Sequence, residues 1–309
     1  MRKRLALKST FVLGLYILLS VVAGVLVAEG ALHPTRRQLT SSEIRRETLQ
    51  TGYENAVLAD VTNTAEDGVV LRAWEIRPEN TNGDVVILLH GLSDNRVGMQ
   101  GYADLFLSHG YSVLIPDARA HGTSGGALAT YGLLEADDIH SWFDWLVAAR
   151  HPQCIYGFGE SMGAAELLQS LGTEPRFCAV AVECPFSNFR EIAYDRVGQQ
   201  FNAGPWVGRT ILWPVVESAF LYSRWKYGLD FKQVSPEDIV ASTKVPVFLI
   251  HGQNDTNIPI RHSRRIVDRN PSVVLWEVPN AGHTGAVSAS PEEFNRKLVE
   301  WFENHSIPN

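Results

Sequence analysis

Short apolar runs alternate with longer amphipathic ones over most of this chain. A continuously apolar run of strand length is typical of a strand buried on both faces of a parallel sheet, and apolar residues three and four apart predict a helix packed on that sheet. The predicted strands are residues 57–64, 69–77, 85–89, 111–116, 154–156, 177–183, 245–250 and 273–278. The predicted helices are residues 96–109, 135–150, 164–171, 260–269 and 291–304. The alternation predicts an α/β fold with a mostly parallel central sheet and helices on both faces.

Two features modify this pattern. Asp67-Gly68 lies between the first two predicted strands, which favours an antiparallel hairpin there. Residues 187–243 contain no clear buried strand but many aromatic residues. A long insertion in a compact domain usually serves function. We therefore predict a helical cap over the active site, with Trp206 and Trp213 as possible substrate contacts. A packed helical subdomain without substrate contact is the alternative.

The N-terminal pattern differs from the rest of the chain. Residues 11–28 carry no charge, and the basic residues Arg2, Lys3, Arg4 and Lys8 precede them. At 1.5 Å per residue this run is just long enough to cross a hydrocarbon core. It predicts a transmembrane signal-anchor in residues 1–28, followed by a linker in 29–52 and a globular domain in 53–309. A cleaved signal peptide, cut near Ala28-Glu29-Gly30, stays open and would make the protein secreted.

Charge near the apolar run decides its expected orientation. Arg36, Arg37, Arg45 and Arg46 follow the run, so the basic residues on the two sides are nearly balanced. The two nearest basic residues, Lys8 and Arg4, precede it, which favours an N-terminus inside and a globular domain outside the cytoplasm. The four arginines are either solvated or in contact with anionic lipid head groups.

Composition narrows the class of protein. A chain of 309 residues, 45% of them hydrophobic, suits one large α/β domain with an appendage. The formal net charge of -7, without a basic stripe, makes nucleic acid an unexpected partner. No cofactor or metal is predicted. Cys154, Cys178 and Cys184 are predicted to be buried apolar residues, because a strand between the last two would hold them too far apart for a disulfide.

Residues 157–163, with the sequence GFGESMG, contain the pattern G-x-S-x-G between a predicted strand and a predicted helix. This setting predicts a sharp turn that lifts the Ser161 hydroxyl clear of the sheet. Gly159 and Gly163 lack side chains where strand and helix crowd each other. The helix N-terminus would direct N–H groups at an oxyanion formed there. Ser161 is therefore the candidate nucleophile.

A serine nucleophile needs a base, and the base needs an orienting acid. In this architecture the chain order is serine, acid, histidine, with the acid after a strand and the histidine beyond the last strand. Asp255 and His283 occupy those positions. Glu183, at the end of the strand before the cap, is the rival acid and otherwise a possible substrate contact.

The tetrahedral intermediate of such chemistry needs two hydrogen-bond donors. The backbone N–H groups of Met162, directly after the nucleophile, and of Leu92, after the 85–89 strand, are the candidates. His90 is predicted to be structural. Asp117 and Arg119 are predicted to stabilise a loop, whereas His121 in the same loop is a possible substrate contact.

Taken together, these motifs resemble the α/β-hydrolase superfamily over residues 55–305. The resemblance rests on HGLSDNR at 90–96, DARAHGTSGG at 117–126, GFGESMGA at 157–164, HGQNDTNIP at 251–259 and AGHTGA at 281–286. With ECPFSN at 183–188 and the apolar N-terminus, the chain is most similar to membrane-anchored Bem46-like serine hydrolases. The resemblance implies Ser161 as nucleophile, Asp255 as acid, His283 as base and oxyanion donors at Leu92 and Met162. Ala120 departs from the glycine that many relatives carry.

The expected activity is hydrolysis of carboxylic esters or thioesters through an acyl-enzyme on Ser161, with small or lipid-like acyl substrates near a membrane. A serine aminopeptidase is the first alternative, in which acids of the cap would hold an N-terminal amine. The candidate acids are Glu217, Asp230, Glu237 and Asp238. A membrane-tethered binding protein without catalysis is the second alternative. Oligomeric state is not predicted.

Overall fold

The computed structural model describes residues 2–40 and 56–306. These residues form two compact units. The first, here called the helical unit, comprises Met1–His33 and Phe189–Gln233; the second, the sheet unit, comprises Pro34–Asn188 and Val234–Asn309. Arg45, Arg46, much of the predicted linker and the predicted domain start near Tyr53 lie outside the described residues.

The sheet unit is built on eight hydrogen-bonded strands. They are β1 (Val57–Thr64), β2 (Val70–Arg77), β3 (Val85–Leu89), β4 (Ser112–Pro116), β5 (Ile155–Glu160), β6 (Ala179–Glu183), β7 (Val247–Gly252) and β8 (Val274–Val278). Their order in the sheet is β1-β2-β4-β3-β5-β6-β7-β8. β1 and β2 form the predicted antiparallel hairpin, β2 also runs antiparallel to β4, and every later pair is parallel. The prediction of a mostly parallel sheet is confirmed.

Helices lie between the strands as the periodicity predicted. In chain order they are α1 (Arg2–Leu32), α2 (Gln100–Ser108), α3 (Glu135–Arg150), α4 (Met162–Ser170), α5 (Phe189–Gln200), α6 (Pro205–Arg209), α7 (Trp213–Tyr227), α8 (Pro236–Val240), α9 (Arg261–Arg269), α10 (Ala286–Ala289) and α11 (Pro291–Glu303). The first part of the predicted 96–109 helix is a separate 3₁₀ turn, Arg96–Met99.

Two hydrophobic clusters show that both faces of the sheet are covered. Alternate side chains of β3 point to opposite faces, so Val85 and Ile87 join one cluster and Val86 joins the other. Trp142 of α3 packs in the first cluster and Phe294 of α11 in the second. This double cover explains why the strand sequences are apolar without alternation.

One cysteine prediction is wrong. Cys154 and Cys178 form a disulfide, with their Cα atoms 5.8 Å apart, whereas Cys184 is free and buried. Each bonded cysteine lies just before one of the neighbouring parallel strands β5 and β6, and parallel strands begin at the same edge of a sheet. The spacing along the chain excludes only a bond between Cys178 and Cys184, which a strand separates. The bond between Cys154 and Cys178 depends on the order of the strands in the sheet.

The helical unit contains α1, α5, α6 and α7. α1 continues to Leu32, beyond the predicted boundary at residue 28. Within it, Lys8–Leu32 is long and apolar enough to cross a membrane, a property that membrane anchors and signal sequences share. The helical character predicted for the cap is confirmed for Phe189–Gln233, and its covering of the active site stays a prediction.

Candidate active site

Ser161 lies on a one-residue turn between β5 and α4. Its φ of 53° and ψ of -110° are a strained conformation for a residue with a side chain. The crowding predicted for the flanking glycines is present. A Cβ atom at Gly159 would lie 2.6 Å from the Gly163 carbonyl oxygen, and one at Gly163 would lie 2.5 Å from that of Leu89. Strand, turn and helix therefore meet too closely for any side chain but hydrogen at these two positions.

The structure brings the three predicted side chains of the triad into one hydrogen-bonded chain. The Nδ1 atom of His283 lies 2.7 Å from Oδ2 of Asp255, and its Nε2 atom lies 2.8 Å from Oγ of Ser161. With the Nδ1–H donating to the carboxylate, Nε2 is free to accept the proton of the serine hydroxyl. Asp255 and Ser161 come from loops at the carboxyl ends of β7 and β5, and His283 follows β8.

Asp255 is held as a carboxylate. Its Oδ1 atom accepts the backbone N–H groups of Asn257 and Ile258 at 2.8 and 2.9 Å. Burial alone would raise the pKa of Asp255, but hydrogen bonds from His251 and His283 outweigh it and lower that pKa below its ordinary value. The acid therefore keeps the charge that orients His283 and stabilises its protonated form.

Glu183, the rival acid, has other partners. Its side chain is fully buried, one oxygen accepts the Ala286 N–H at 2.9 Å, and the other lies 3.3 Å from the Tyr102 hydroxyl. That hydroxyl also lies 3.1 Å from Glu160, the residue before the nucleophile. Burial raises the pKa of Glu183 to about 7. Glu183 is thus a buried supporting residue. Its partners are Ala286 and Tyr102, and the structure gives no support for the predicted roles of triad acid or substrate contact.

The two oxyanion candidates come from loops at the same edge of the sheet. Met162 is the first residue of α4, and Leu92 follows β3, the strand that pairs with β5. A Cβ atom on Gly91 would lie 3.7 Å from Cβ of Ser161, so the loop after β3 passes directly beside the nucleophile. Backbone N–H groups in such a position suit the binding of an oxyanion.

The loop after β4 is tied together by ion pairs and hydrogen bonds. Asp117 accepts the backbone N–H groups of Arg96 and Thr123 at 2.9 and 2.8 Å, and Arg119 donates to Asp138 at 2.6 and 2.7 Å. These contacts fit the loop-stabilising roles predicted for Asp117 and Arg119.

Two buried histidines pack against each other here, His121 in this loop and His90 after β3. His121 is fully buried and packs edge-on against the buried His90, with ring centroids 5.3 Å apart. Burial lowers the pKa of His121 to about 4, so the imidazole is neutral. The prediction that His121 contacts substrate therefore has no support from the structure. Ala120, before His121, has a φ of 59°, in the left-handed region that favours glycine.

The other two candidate substrate contacts belong to the helical unit. Trp206 and Trp213 are 67% and 51% exposed. Their contact with substrate stays a prediction.

Among the described residues, two groups of side chains have the spacing of metal ligands. Cys184, Asp255 and His283 offer ligand atoms within 4.8 Å of one another, but Asp255 and His283 bond to each other and burial raises the pKa of the Cys184 thiol. The thiolate that a metal needs is therefore disfavoured. The second group is His140, Asp144 and Glu174, where Arg176 already pairs with both carboxylates.

Sequence reasoning missed the buried support of the site. His251, fully buried, donates toward the Ile258 carbonyl at 2.8 Å and approaches Asp255 at 3.5 Å. Its place at the end of a strand in HGQND was a usable signal. Tyr102 gave none, because its approach to Glu160 and Glu183 depends on how α2 packs on the sheet.

Comparisons with known proteins agree with this geometry. The alpha/beta hydrolase family matches residues 86–297. The uncharacterized Bacillus subtilis (strain 168) protein YqkD is 28% identical over 242 residues, which are 77% of this chain and 76% of that protein. The Pyrococcus furiosus esterase Pf2001 superposes with a TM-score of 0.68 at 26% identity and covers 88% of this chain and 98% of its own.

A peptidase also shares the fold. The Pyrococcus horikoshii acylaminoacyl peptidase superposes with a TM-score of 0.61 at 18% identity, over 84% of this chain and 43% of that one. At this identity the likeness concerns the fold alone. Since the family match covers more than half of the sequence and contains the strained serine turn and its partners, the protein belongs to the alpha/beta hydrolase family.

Proposed function

We propose that the protein is a serine hydrolase that cleaves carboxylic esters or thioesters through an acyl-enzyme on Ser161. The observation that carries the proposal is the hydrogen-bonded chain from Ser161 through His283 to Asp255, with distances of 2.8 and 2.7 Å, on a strained turn. A hydroxyl aligned on a neutral imidazole, itself oriented by a buried carboxylate, is an activated nucleophile.

The chemistry follows from these contacts. Ser161 Oγ attacks the acyl carbon as its proton passes to His283 Nε2, and the oxyanion receives the N–H groups of Leu92 and Met162. The alcohol or thiol leaves with the proton from His283, and the acyl group stays on Ser161. His283 then takes a proton from water, which attacks the acyl-enzyme and releases the acid. Asp255 stays charged throughout and stabilises the protonated imidazole.

The likeness to the esterase Pf2001 supports ester substrates. The aminopeptidase alternative needs unpaired acids to hold a substrate amine. Each of its four candidate acids pairs with an arginine of its own unit: Glu217 with Arg190 at 2.7 Å, Asp230 with Arg224 at 3.6 Å, Glu237 with Arg265 at 2.9 Å and Asp238 with Arg269 at 2.5 Å. Neutralised acids are poor amine receptors, which favours the ester over the amide.

Lipid-like substrates, a single-pass anchor and the Bem46-like resemblance are the finer parts of this proposal. The apolar helix α1 supports a location at a membrane. The disulfide Cys154–Cys178 supports a sheet unit outside the cytoplasm, because disulfides persist in oxidising compartments.

The test uses the full-length protein in detergent and in vesicles. A fluorophosphonate probe should label the wild type but not Ser161→Ala, and Ser161→Ala should lower the turnover of p-nitrophenyl esters by roughly 10⁴-fold or more. Esters of rising acyl length and aminoacyl amides are compared side by side. Turnover of amides alone would replace the ester proposal with the peptidase, and full turnover by Ser161→Ala would overturn both.

A further inference from the structure

Exposed apolar side chains are concentrated in the helical unit. Among the described residues, twelve large exposed hydrophobic residues lie on α1 and six lie in 189–233, against five in the sheet unit. Exposed apolar side chains concentrated in one part of a molecule indicate an interaction surface. The contacts within the unit indicate what covers it.

α1 packs on α7 through a stripe of small residues. Ser20, Gly24 and Ala28 recur every four residues on one side of α1, and all three are buried. A Cβ atom at Gly24 would lie 2.6 Å from the Val215 carbonyl oxygen and 2.9 Å from the Ala219 nitrogen. Small residues at this spacing are what allow transmembrane helices to approach closely. The stripe of α1 is therefore already occupied by a helix of the cap.

The contacts also set the direction of the two helices. Near the middle of α1, the Tyr16 hydroxyl donates to the Ile211 carbonyl, just before α7 begins. At its far end, Glu29 accepts hydrogen bonds from Tyr222, Lys226 and Tyr227 at 2.5, 2.8 and 2.8 Å. These two contacts are about 20 Å apart along α1. α7 thus runs parallel to the C-terminal part of the apolar helix over most of its own length.

The exposed part of α7 carries three large apolar side chains, and the exposed cations of its last turn, Arg224 and Lys226, pair with Asp230 and Glu29. Trp213, Leu221 and Trp225 are 51%, 70% and 80% exposed. Ile211 and Trp206, before α7, are also exposed, and together these five residues are here called the membrane face. Tyr222 and Tyr227 bond to Glu29, where the uncharged run ends, and Trp225 lies beside Tyr222 with ring centroids 6.3 Å apart. Aromatic residues with a lysine are typical of the membrane–water boundary.

Polar side chains near this face are paired within the unit. Glu217 accepts from Arg190 at 2.7 Å and from Tyr194 at 3.0 Å, and Arg209 pairs with Glu191. The Tyr16 hydroxyl, in the apolar run, has the Ile211 carbonyl as its partner. Internal pairing of this kind is what a low-dielectric surrounding requires.

We propose that α1 stays in the mature protein as a membrane helix and that α7 lies beside it in the same bilayer, with the membrane face in contact with lipid. The cap is then part of the membrane attachment. Cleavage near residue 28 would remove the stripe and expose the surface of α7 at Val215 and Ala219. This inference does not depend on the activity of Ser161.

The first experiment tests the helix pair in the full-length protein in phosphatidylcholine vesicles. A zero-length carbodiimide should join Glu29 to Lys226, whose charged atoms are 2.8 Å apart, and mass spectrometry should find that cross-link. Gly24→Leu should abolish the cross-link, because its side chain would meet the α7 backbone. Gly14→Leu is the matched control, since nothing lies within 4 Å of a Cβ atom there, and it should keep the cross-link.

Three results would each overturn the retained helix pair. The first is a mature chain that starts after residue 28, and the second is equal cross-linking in Gly24→Leu and the wild type. The third is the absence of the Glu29–Lys226 cross-link in the wild type.

The second experiment tests lipid as the occupant. Brominated phosphatidylcholine should quench part of the tryptophan emission, and Trp213→Phe and Trp225→Phe should each remove part of that quenching. Trp142→Phe, at a position only 2% exposed in the core of the sheet unit, should leave the quenched part unchanged.

Quenching that is undiminished in both Trp213→Phe and Trp225→Phe, relative to the wild type, would place the membrane face outside the bilayer and overturn the proposal. Energy transfer between labelled copies that depends on protein concentration, without lipid quenching, would show a second copy on this face and would also overturn it.

Discussion

The sheet unit and the helical unit differ in where their helices place apolar side chains. The sheet unit hides its apolar side chains between sheet and helices and keeps charged groups beneath the site in fixed hydrogen bonds, as at Asp255 and Glu183. The helical unit exposes its apolar side chains and buries small residues such as Gly24. The difference is what the proposed membrane attachment requires, because burial by protein and burial by lipid demand different residues on a helix surface.

The largest effect expected in the sheet unit concerns the acid of the site. Asp255→Asn should lower kcat roughly 10⁴-fold, because the amide would donate to Nδ1 and leave His283 in the wrong tautomer for Ser161. Steady-state ester hydrolysis measures this, with Glu183→Gln as the comparison. A loss in Glu183→Gln as large as that in Asp255→Asn would make Glu183 the acid after all. The Glu29–Lys226 cross-link in the helical unit should be the same in both variants.

The next effect tests the close packing at the serine turn of the sheet unit against an open position in the same unit. Gly163→Ala should cost the sheet unit about 3 kcal/mol of unfolding free energy, because its methyl group would meet backbone atoms that cannot move away. Gly101→Ala, a helical position with open space around it, should instead stabilise the protein by about 0.5 kcal/mol. Thermal unfolding of the two variants checks the pair, and equal Tm values would refute the crowding at the turn.

The disulfide gives a similar effect that is confined to the sheet unit. Cys154→Ala with Cys178→Ala should lower the free energy of unfolding by about 3 kcal/mol, as expected for closing a loop between residues 24 positions apart. A reductant should lower the Tm of the wild type and leave that of the double variant unchanged. A wild-type Tm insensitive to the reductant would show that the bond does not form. The quenching of tryptophan by brominated lipid should be unaffected.

The last effect is a pH dependence from the buried Glu183, and it is the smallest when measured over one pH unit. Its pKa of about 7 lies above the ordinary value of 4.5, so the folded state holds a proton that the unfolded state has lost. The wild type should therefore lose up to about 1.4 kcal/mol of unfolding free energy per pH unit, relative to Glu183→Gln, as the pH rises from 4.5 to 7. Parallel stability curves for the two proteins in chemical denaturant would contradict the raised pKa.

Much of the sheet unit follows from local pattern. β1 and β3 have the predicted bounds, and the other predicted strands shift by at most a few residues. The sharp turn at Ser161 could be predicted because a strand, the pattern G-x-S-x-G and a helix follow one another in the sequence. The meeting of Asp255 and His283 could be predicted because carboxyl ends of parallel strands share an edge of the sheet.

Two features could not be predicted in this way. The disulfide joins residues just before β5 and β6, and pairing them requires knowing that these strands are neighbours. The link of Tyr102 to Glu160 and Glu183 crosses between a helix and two strands, and the packing angle of α2 has no local signature. Both depend on contacts between residues far apart in sequence.

The sequence by itself determined the period of each element, the strained serine turn and the uncharged run of α1, since these depend on residues near one another in the chain. Only the tertiary structure decided that Glu183 bonds to Tyr102 and Ala286, that Cys154 bonds to Cys178, and that Gly24 of α1 lies against α7. The physical reason is the same in each case. A hydrogen bond, a disulfide or a close helix contact requires atoms a few ångströms apart, and the packing of whole elements sets that distance.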